Sequence, residues 1–254
     1  MSKNIGTCKH CREENVELQK KSHVLSKFLF ENILADGNSG ERIIIVDPDS
    51  LEQKGKAKDA PYEKYIYCRK CEREWSSIET KASQMLFHKE FNPKMISKQT
   101  GEIGNQIYFK EAEIEIFKKF MLLNLYRANN SNHGMFTQVN LGVYNEIFRN
   151  IMLGNLNLEQ SNCTFHIFSF KEHIPAQLQH FSTHFIRLKI GYAHGYSIFV
   201  DGIGFVYNFG KSSDKIFHLT SLDNSNGLAV NFLDKRSSKV VLKSLFQIKH
   251  PIIS

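Results

Sequence analysis

Two pairs of cysteines are the residues of this chain whose types and spacing point most clearly to chemistry. Cys8 and Cys11 form one Cys-x-x-Cys motif, and Cys68 and Cys71 form a second. This spacing lets two thiolates bind one metal ion from a single turn of the chain. Four thiolates complete a tetrahedral zinc shell with Zn–S distances of about 2.3 Å. We therefore predict that the four cysteines bind one structural Zn²⁺.

The gap between the two pairs leaves other arrangements open, because it is much longer than the ~15–20 residues of a simple zinc ribbon. The pairs could be two independent turns of reduced cysteine, or two separate metal sites completed by His10 or His23. The fifth cysteine, Cys163, lies alone in the sequence. We expect it to be a small hydrophobic residue of the core.

The chain is basic, with a net charge of +7 and a pI near 9.0 over 254 residues. Lysine and arginine gather near the N-terminus, around the second cysteine pair and near the C-terminus. A positive net charge of this size suits a polyanionic partner, and ordinary solvated surface charge explains it equally well. The length and the hydrophobic fraction of 41% allow one large domain or two small ones with a real core.

The expected location follows from two patterns. No stretch approaches the ~20 apolar residues that cross a bilayer, so we expect no membrane partner. Residues 1–30 are polar and carry no apolar run suited to a signal peptide. We expect a soluble, cytoplasmic protein, and this compartment favours metal-binding thiolates over disulfides.

The elements that must position the cysteines are short. Apolar residues near helical spacing predict a helix over about 23–34. A buried strand is predicted at 43–46, and the lysine-rich stretch 51–60 predicts a mobile loop. A further strand at 65–67 leads into the second cysteine pair, and a helix is expected to begin just after it.

The rest of the chain predicts a helix pair followed by a sheet. Helical stripes lie at 111–127 and 140–153, and the polar stretch 92–104 is the best domain boundary. Runs of β-branched and aromatic residues, separated by turn residues, then predict an antiparallel sheet. These runs are 164–170, 185–190, 197–200, 204–209 and 239–248. The fold class is therefore α+β, with domains at 1–91 and 105–254.

The order of the N-terminal motifs resembles the HNH nuclease family, whose ββα-metal core is often stapled by two cysteine pairs. The chain looks closer still to poorly characterised bacterial proteins with Cys-x-x-Cys, then Ser-His-Ile-Ile-Pro-Lys-Phe, then Cys-x-x-Cys-Glu and Ser-x-x-Glu. The corresponding segments here are residues 22–28 and 71–79. A Trp-Arg pair in a later helix of that group corresponds to Tyr126-Arg127. The resemblance extends loosely from residue 8 to about 153.

This resemblance implies a treble-clef, HNH-like zinc module with a metal-dependent nuclease site. His23 would be the general base, since a neutral imidazole with a pKa of ~6.5 can take a proton from water. Glu72 occupies the place of the family's last histidine and suits Mg²⁺ or Mn²⁺, which would stabilise charge on the scissile phosphate. Glu79 would be a second ligand or a support. The implied activity is that of a DNA endonuclease or nuclease-derived effector, such as bacterial antiviral systems use.

Two departures keep a second hypothesis open. Ser22 replaces the acidic residue that helps the family hold its metal, and Ser26 replaces a proline. A module without that carboxylate can be folded and inactive. His23 would then be structural, and the two glutamates would be first-turn carboxylates favoured by the helix dipole. The alternative function is a non-catalytic, zinc-stabilised subunit that binds nucleic acid, a protein partner or a second copy of itself.

Overall fold

The computed structural model describes residues 4–30, 43–46, 53–87, 105–109, 111–170, 181–190, 193–210, 228–232 and 241. Within them the chain is a mixed α+β protein, so the predicted fold class is confirmed at this level. The contacts divide the chain into two compact units, each drawn from separate segments. The first unit comprises 1–29, 60–91 and 116–161, and the second comprises 30–59, 92–115 and 162–254.

Two small antiparallel pairs of strands open the first unit. β1 (Ile5–Gly6) pairs with β2 (Val16–Glu17), and the first cysteine pair lies in the loop between them. β3 (Ser22–His23) pairs with β6 (Tyr62–Glu63). Between β3 and β6 the chain forms β4 (Ile43–Val46) and β5 (Gln53–Ala57), which belong to the second unit.

The helix predicted at 23–34 is wrong over its described part. Its first residue, His23, is the last residue of β3, and a 3-10 helix follows at Lys27–Phe30, while 31–34 lie outside the described residues. The Val24 N–H donates to the Pro61 carbonyl at 2.8 Å. The backbone at residues 22–24 is therefore paired with the segment at residues 61–63.

Three α-helices complete the described part of the first unit, and each corresponds to a predicted helix. They are α1 (Arg69–Phe87), the C-terminal part of α2 (Glu111–Asn129) and α3 (Tyr144–Met152). Every residue from 120 to 128 of α2 is buried, which is the behaviour of a central helix. α3 begins four residues later than predicted. None of the helices that the structure describes is both long and apolar enough to span a bilayer.

A nine-stranded sheet forms the described part of the second unit. Its hydrogen-bonded order is β5-β4-β9-β11-β12-β8-β13-β7, and β10 also pairs with β11. Most pairs are antiparallel, but β13 with β8 and β4 with β9 are parallel. The strands are β4 (Ile43–Val46), β5 (Gln53–Ala57), β7 (Asn105–Phe109), β8 (Cys163–Ser169), β9 (Phe181–Thr183), β10 (Ile186–Ile190), β11 (Ala193–Val200), β12 (Ile203–Phe209) and β13 (Leu228–Phe232).

Several of the predicted loops and strands differ from the structure. The loop predicted at 51–60 is wrong over 53–57, because β5 pairs along β4. The strand predicted at 65–67 is also wrong: β6 lies earlier in the chain, and Tyr65 has a φ of 60° that breaks an extended run. Of the run at 239–248 only Val241 is described, and it is helical. The remaining four predicted strands correspond to β8, β10, β11 and β12.

The two units are discontinuous in sequence, so they do not follow the linear boundaries 1–91 and 105–254. Residues 30–59 group with the sheet, and 116–161 group with the cysteine pairs. All seven residues of β12 are buried, so both faces of the sheet are covered there. The candidate site lies wholly in the first unit.

Candidate metal centre and the adjoining polar cluster

Backbone hydrogen bonds bring the two cysteine pairs together. The Lys9 N–H donates to the Ile66 carbonyl at 2.9 Å, directly before the second pair. Leu18, just after β2, forms an isolated antiparallel bridge with Cys68. Cys71 lies in the first turn of α1. The first pair therefore comes from a hairpin loop and the second from a helix start, although the connection between them is long.

The four cysteine sulfurs form one compact group. All four Sγ atoms lie within 4.8 Å of one another. The Sγ–Sγ distance is 3.8 Å from Cys8 to Cys71 and from Cys11 to Cys68. It is 3.5 Å from Cys68 to Cys71. A tetrahedron with Zn–S distances of about 2.3 Å has edges of about 3.8 Å. The predicted convergence is confirmed, and the group could hold a zinc ion.

The surroundings favour thiolate at Cys8, whereas burial raises the pKa of Cys11. A hydrogen bond with Cys71 lowers the pKa of Cys8 to about 4, against the effect of burial, and raises the pKa of Cys71. The backbone N–H of Cys68 also donates to the Cys8 Sγ at 3.3 Å. Stable negative charge on sulfur is what a metal ligand requires. The group of potential ligands found in the described residues contains four cysteines and no histidine.

His10 is a packing residue beside this centre. Its side chain is fully buried, with Nδ1 3.2 Å from the Tyr126 hydroxyl and the ring edge-on to Trp75 at 4.7 Å. Burial is the main cause that lowers the pKa of His10 to about 4, so the ring is neutral at pH 7. Cys163 stands apart at the start of β8 and is only half-buried, so its expected place in the core is wrong.

Three basic side chains connect the first cysteine pair to α3 and to the residue that follows α2. Arg149 Nε donates to the His10 carbonyl at 2.5 Å, and Lys9 Nζ donates to the Asn130 carbonyl at 3.0 Å. Arg12 pairs with Glu146 of α3. Part of the positive charge near the cysteines is therefore structural.

Arg127 of α2 is a buried arginine, which the sequence did not predict. Its side chain is 1% exposed, and its guanidinium stacks over the Trp75 ring at 4.7 Å. Nη1 donates to Glu79 Oε1 at 2.6 Å, and Nη2 donates to Glu72 Oε2 at 3.3 Å. We name Glu72, Glu79 and Arg127 the acid–arginine cluster. A buried guanidinium needs such partners, since an unpaired charge in the interior is costly.

Two serines that follow β2 in the chain, Ser22 and Ser26, lie beside the glutamates of this cluster. Ser26 Oγ donates to Glu79 Oε1 at 2.6 Å, and the Ser26 N–H donates to the Asn124 side-chain carbonyl at 2.9 Å. Burial raises the pKa of Glu72, while Arg127 and the nearby Ser22 hydroxyl lower it. The two serines that depart from the family motifs are thus the neighbours of the two glutamates.

His23 lies on β3 between these two serines. Burial is the main cause that lowers its pKa to about 4; Lys21 and Arg127 lower it further, and Glu79 raises it. The ring is therefore neutral at physiological pH. The three residues predicted as catalytic are thus brought into one neighbourhood, within electrostatic range of Arg127.

The chain matches no known family model, no curated protein and no solved structure. The HNH-like and treble-clef assignments therefore stay predictions from the motifs. From the sequence, Arg127 is only a motif match, and its two glutamate partners are not predicted. One signal could have found them: a single arginine inside the apolar run of α2, where a charge has to be paired.

Proposed function

We propose that the first unit is a zinc-stabilised, metal-dependent phosphodiesterase that cleaves DNA, an HNH-like endonuclease or an effector derived from one. One observation carries this proposal: His23 of β3 lies in electrostatic range of Glu79, and the two serines that flank it lie beside Glu72 and Glu79. Zinc at the four cysteines would hold the start of α1, and with it Glu72, in place. A role in bacterial antiviral defence rests on the resemblance alone.

The chemistry assigned to His23 is proton transfer from water. Its low pKa keeps the ring neutral, and only a neutral imidazole can accept a proton. A pKa this far below 7 makes a weak base. A phosphate beside the ring would raise that pKa, because an anion stabilises imidazolium. Substrate binding and activation of the base would then be coupled.

The two glutamates supply part of what the binding of a hard divalent cation requires. Among the residues that the structure describes, Glu72 Oε1 is buried and has no hydrogen-bond partner, so this oxygen is available as a ligand. Mg²⁺ or Mn²⁺ held by Glu72 and Glu79 would supply stabilisation of charge on the phosphoryl group. Arg127 would orient both carboxylates through its two hydrogen bonds.

A different observation favours the alternative of a non-catalytic subunit. One guanidinium already binds both carboxylates, and burial of Arg127 is complete. Under this reading the acid–arginine cluster fastens α1 to α2, and the zinc module serves to bind nucleic acid or a protein partner. Glu72 and Glu79 would then be needed for stability and not for cleavage.

The test is a plasmid-nicking assay with added Mg²⁺ or Mn²⁺. His23→Ala should abolish nicking and keep bound zinc, whereas the control His194→Ala, an exposed histidine of β11, should leave it unchanged. Nicking that is equal in both variants would point to a contaminating nuclease and against the proposal. A wild-type protein that never nicks DNA with either metal, although it is folded and zinc-bound, would favour the binding subunit.

A further inference from the structure

The exposed side of α1 is entirely polar. The helix buries Cys71, Trp75 and Ala82, and nine other side chains between 69 and 86 are exposed. None of the nine is apolar, and Glu74 is the one acid among them. We name the basic and hydroxyl side chains of this surface the basic face of α1. Its defining members are Arg69, Lys70, Arg73, Ser76, Thr80 and Lys81.

Three cations of the basic face lie in one row along the helix. Arg73 follows Arg69 by four residues, and Lys81 follows after eight more, so the three lie on one side of α1. At a rise of 1.5 Å per residue the row is about 18 Å long. Among the described residues, none of these three side chains forms an ion pair with a carboxylate. The row therefore presents positive charge to solvent.

The position of these cations is unfavourable for the helix itself. Arg69 and Lys70 lie in the first turn of α1, where the helix dipole favours anions. Like charges four residues apart, as at Arg69 and Arg73, also repel each other. Zinc bound by four thiolates would leave two negative charges beside the first turn, but Arg73 and Lys81 lie about one and three turns further along. A bound polyanion would offset the cost along the whole row.

The basic face adjoins the acid–arginine cluster on α1. Glu72 follows Arg69 by three residues and precedes Ser76 by four. Residues at these spacings are neighbours on the surface of a helix. A polyanion held along the row would therefore pass beside the glutamate to which we assign metal binding.

The composition of the basic face selects the kind of polyanion. A protein partner needs an apolar core in its interface, and a helix that lies on a membrane buries an apolar side. The exposed side of α1 offers neither, because all of its exposed residues are polar. Arginine, lysine, serine and threonine are the side chains that contact the phosphate oxygens of nucleic acids.

We propose that the basic face of α1 binds the phosphodiester backbone of duplex DNA, with Arg69, Arg73 and Lys81 each contacting one phosphate. This inference rests on the proposed function for the choice of DNA, and it deepens that function by naming the surface that receives the substrate. Contacts to phosphate carry no sequence information, so binding here is independent of base sequence.

The test measures DNA binding apart from cleavage. Anisotropy of a labelled DNA duplex is recorded over a series of salt concentrations without added Mg²⁺ or Mn²⁺. Each phosphate contact contributes a slope of about −0.9 to the plot of log K against log[salt]. Arg69→Ala/Arg73→Ala should therefore make the slope shallower by about 1.8 and weaken binding at least about tenfold. Arg69→Lys/Arg73→Lys keeps both charges and should keep the slope.

Two controls show whether the effect belongs to this face. Arg187→Ala/Lys189→Ala removes two exposed cations of β10 and should keep the wild-type slope. Zinc content verifies folding. If Arg69→Ala/Arg73→Ala loses its zinc, Arg73→Ala/Lys81→Ala changes positions further from the cysteines and should give the same loss of slope.

The outcomes separate this inference from the proposed function. An unchanged slope in the zinc-bound double variant, an equal loss in the β10 control, or a wild-type protein that does not bind DNA would overturn the inference. Displacement of the duplex by polyglutamate at equal charge concentration would overturn it too, since such a surface would bind any polyanion. DNA binding through Arg69 and Arg73 with no nicking under either metal would overturn the proposed function alone. Nicking that requires His23 while the double variant keeps its slope would overturn the inference alone.

Discussion

Arg127 donates to Glu79 at 2.6 Å from a side chain that is 1% exposed, and the same guanidinium reaches Glu72. The contact joins α2 to α1 beside the four cysteines. Such a pair is costly to break, because removal of the cation leaves two half-buried carboxylates without their partner. The unit that holds the metal centre therefore depends on an ion pair between residues 48 positions apart in the chain.

Replacement of Arg127 by alanine should lower the free energy of unfolding of the first unit by about 3–5 kcal/mol, as loss of one partner of a buried ion pair does. Urea denaturation followed by tryptophan fluorescence measures this. The single tryptophan, Trp75, lies under the guanidinium and reports on this unit. Lys81→Ala, a change at an exposed site of α1, should stay within about 0.5 kcal/mol of wild type. A loss below about 1 kcal/mol for Arg127→Ala would show that the pair contributes little.

Substitution of one cysteine of the cluster should remove the metal and unfold the first unit. Purified protein should contain one zinc ion per chain by elemental analysis, and Cys71→Ser should contain none. A structural zinc site contributes about 10–16 kcal/mol in zinc-finger peptides, which is comparable with the whole stability of a domain. The fluorescence of Trp75 should therefore shift to that of an exposed indole.

Cys163→Ser is the matched control for this experiment, because Cys163 lies outside the four-sulfur group. It should keep both the zinc content and the native fluorescence. Retention of zinc by Cys71→Ser, or its loss from Cys163→Ser, would contradict the assignment of the four ligands.

The buried imidazole of His23 should make the stability of the first unit depend on pH. Its folded pKa of about 4 lies below the unfolded value near 6.5, so the unfolded chain binds more protons between these values. The stabilisation is complete above pH 6.5 and falls as the pH drops toward 4. The charges of Lys21, Arg127 and Lys27 lower the pKa of His23 in the same direction as burial, whereas Glu79 raises it.

The measurement is the urea midpoint of the first unit at several pH values from 5 to 7.5. His23→Gln should flatten the decline toward acid, since glutamine cannot titrate. Some decline should remain, because the pKa of His10 is lowered in the same way. His194→Gln, at an exposed site, should retain the wild-type curve. Identical curves for His23→Gln and wild type would mean that His23 is not desolvated.

Gly195 is a position of β11 where no side chain fits. A Cβ there would lie 2.2 Å from the Tyr207 carbonyl oxygen of β12, and backbone cannot move as a side-chain tip can. Gly195→Ala should cost the second unit about 1–3 kcal/mol or more, as overpacking does. Amide hydrogen exchange in β11 and β12 measures the effect. Gly134→Ala, with nothing within 4 Å of its added Cβ, should be neutral, and equal exchange in both variants would refute the clash.

The sequence by itself determined the features that depend on local spacing. The two Cys-x-x-Cys motifs predicted one four-sulfur group, because each motif sets its own two ligands within one turn. The apolar stripe at 111–127 predicted α2, because the period of a helix is recorded in consecutive residues. Runs of β-branched and aromatic residues between turn residues predicted β8 and β12. The family assignment and the nuclease site stay predictions.

Only the tertiary structure decided which distant segments meet. The sequence offered no means to place β4 and β5 in the large sheet, since β4 pairs in parallel with β9, over a hundred residues away. It likewise could not show that Arg127 binds both glutamates, or that His23 lies on a strand and not at the start of a helix. Hydrogen bonds and ion pairs across long loops leave no periodic trace in the chain. Their partners are selected by what else must be buried and satisfied when the whole unit folds.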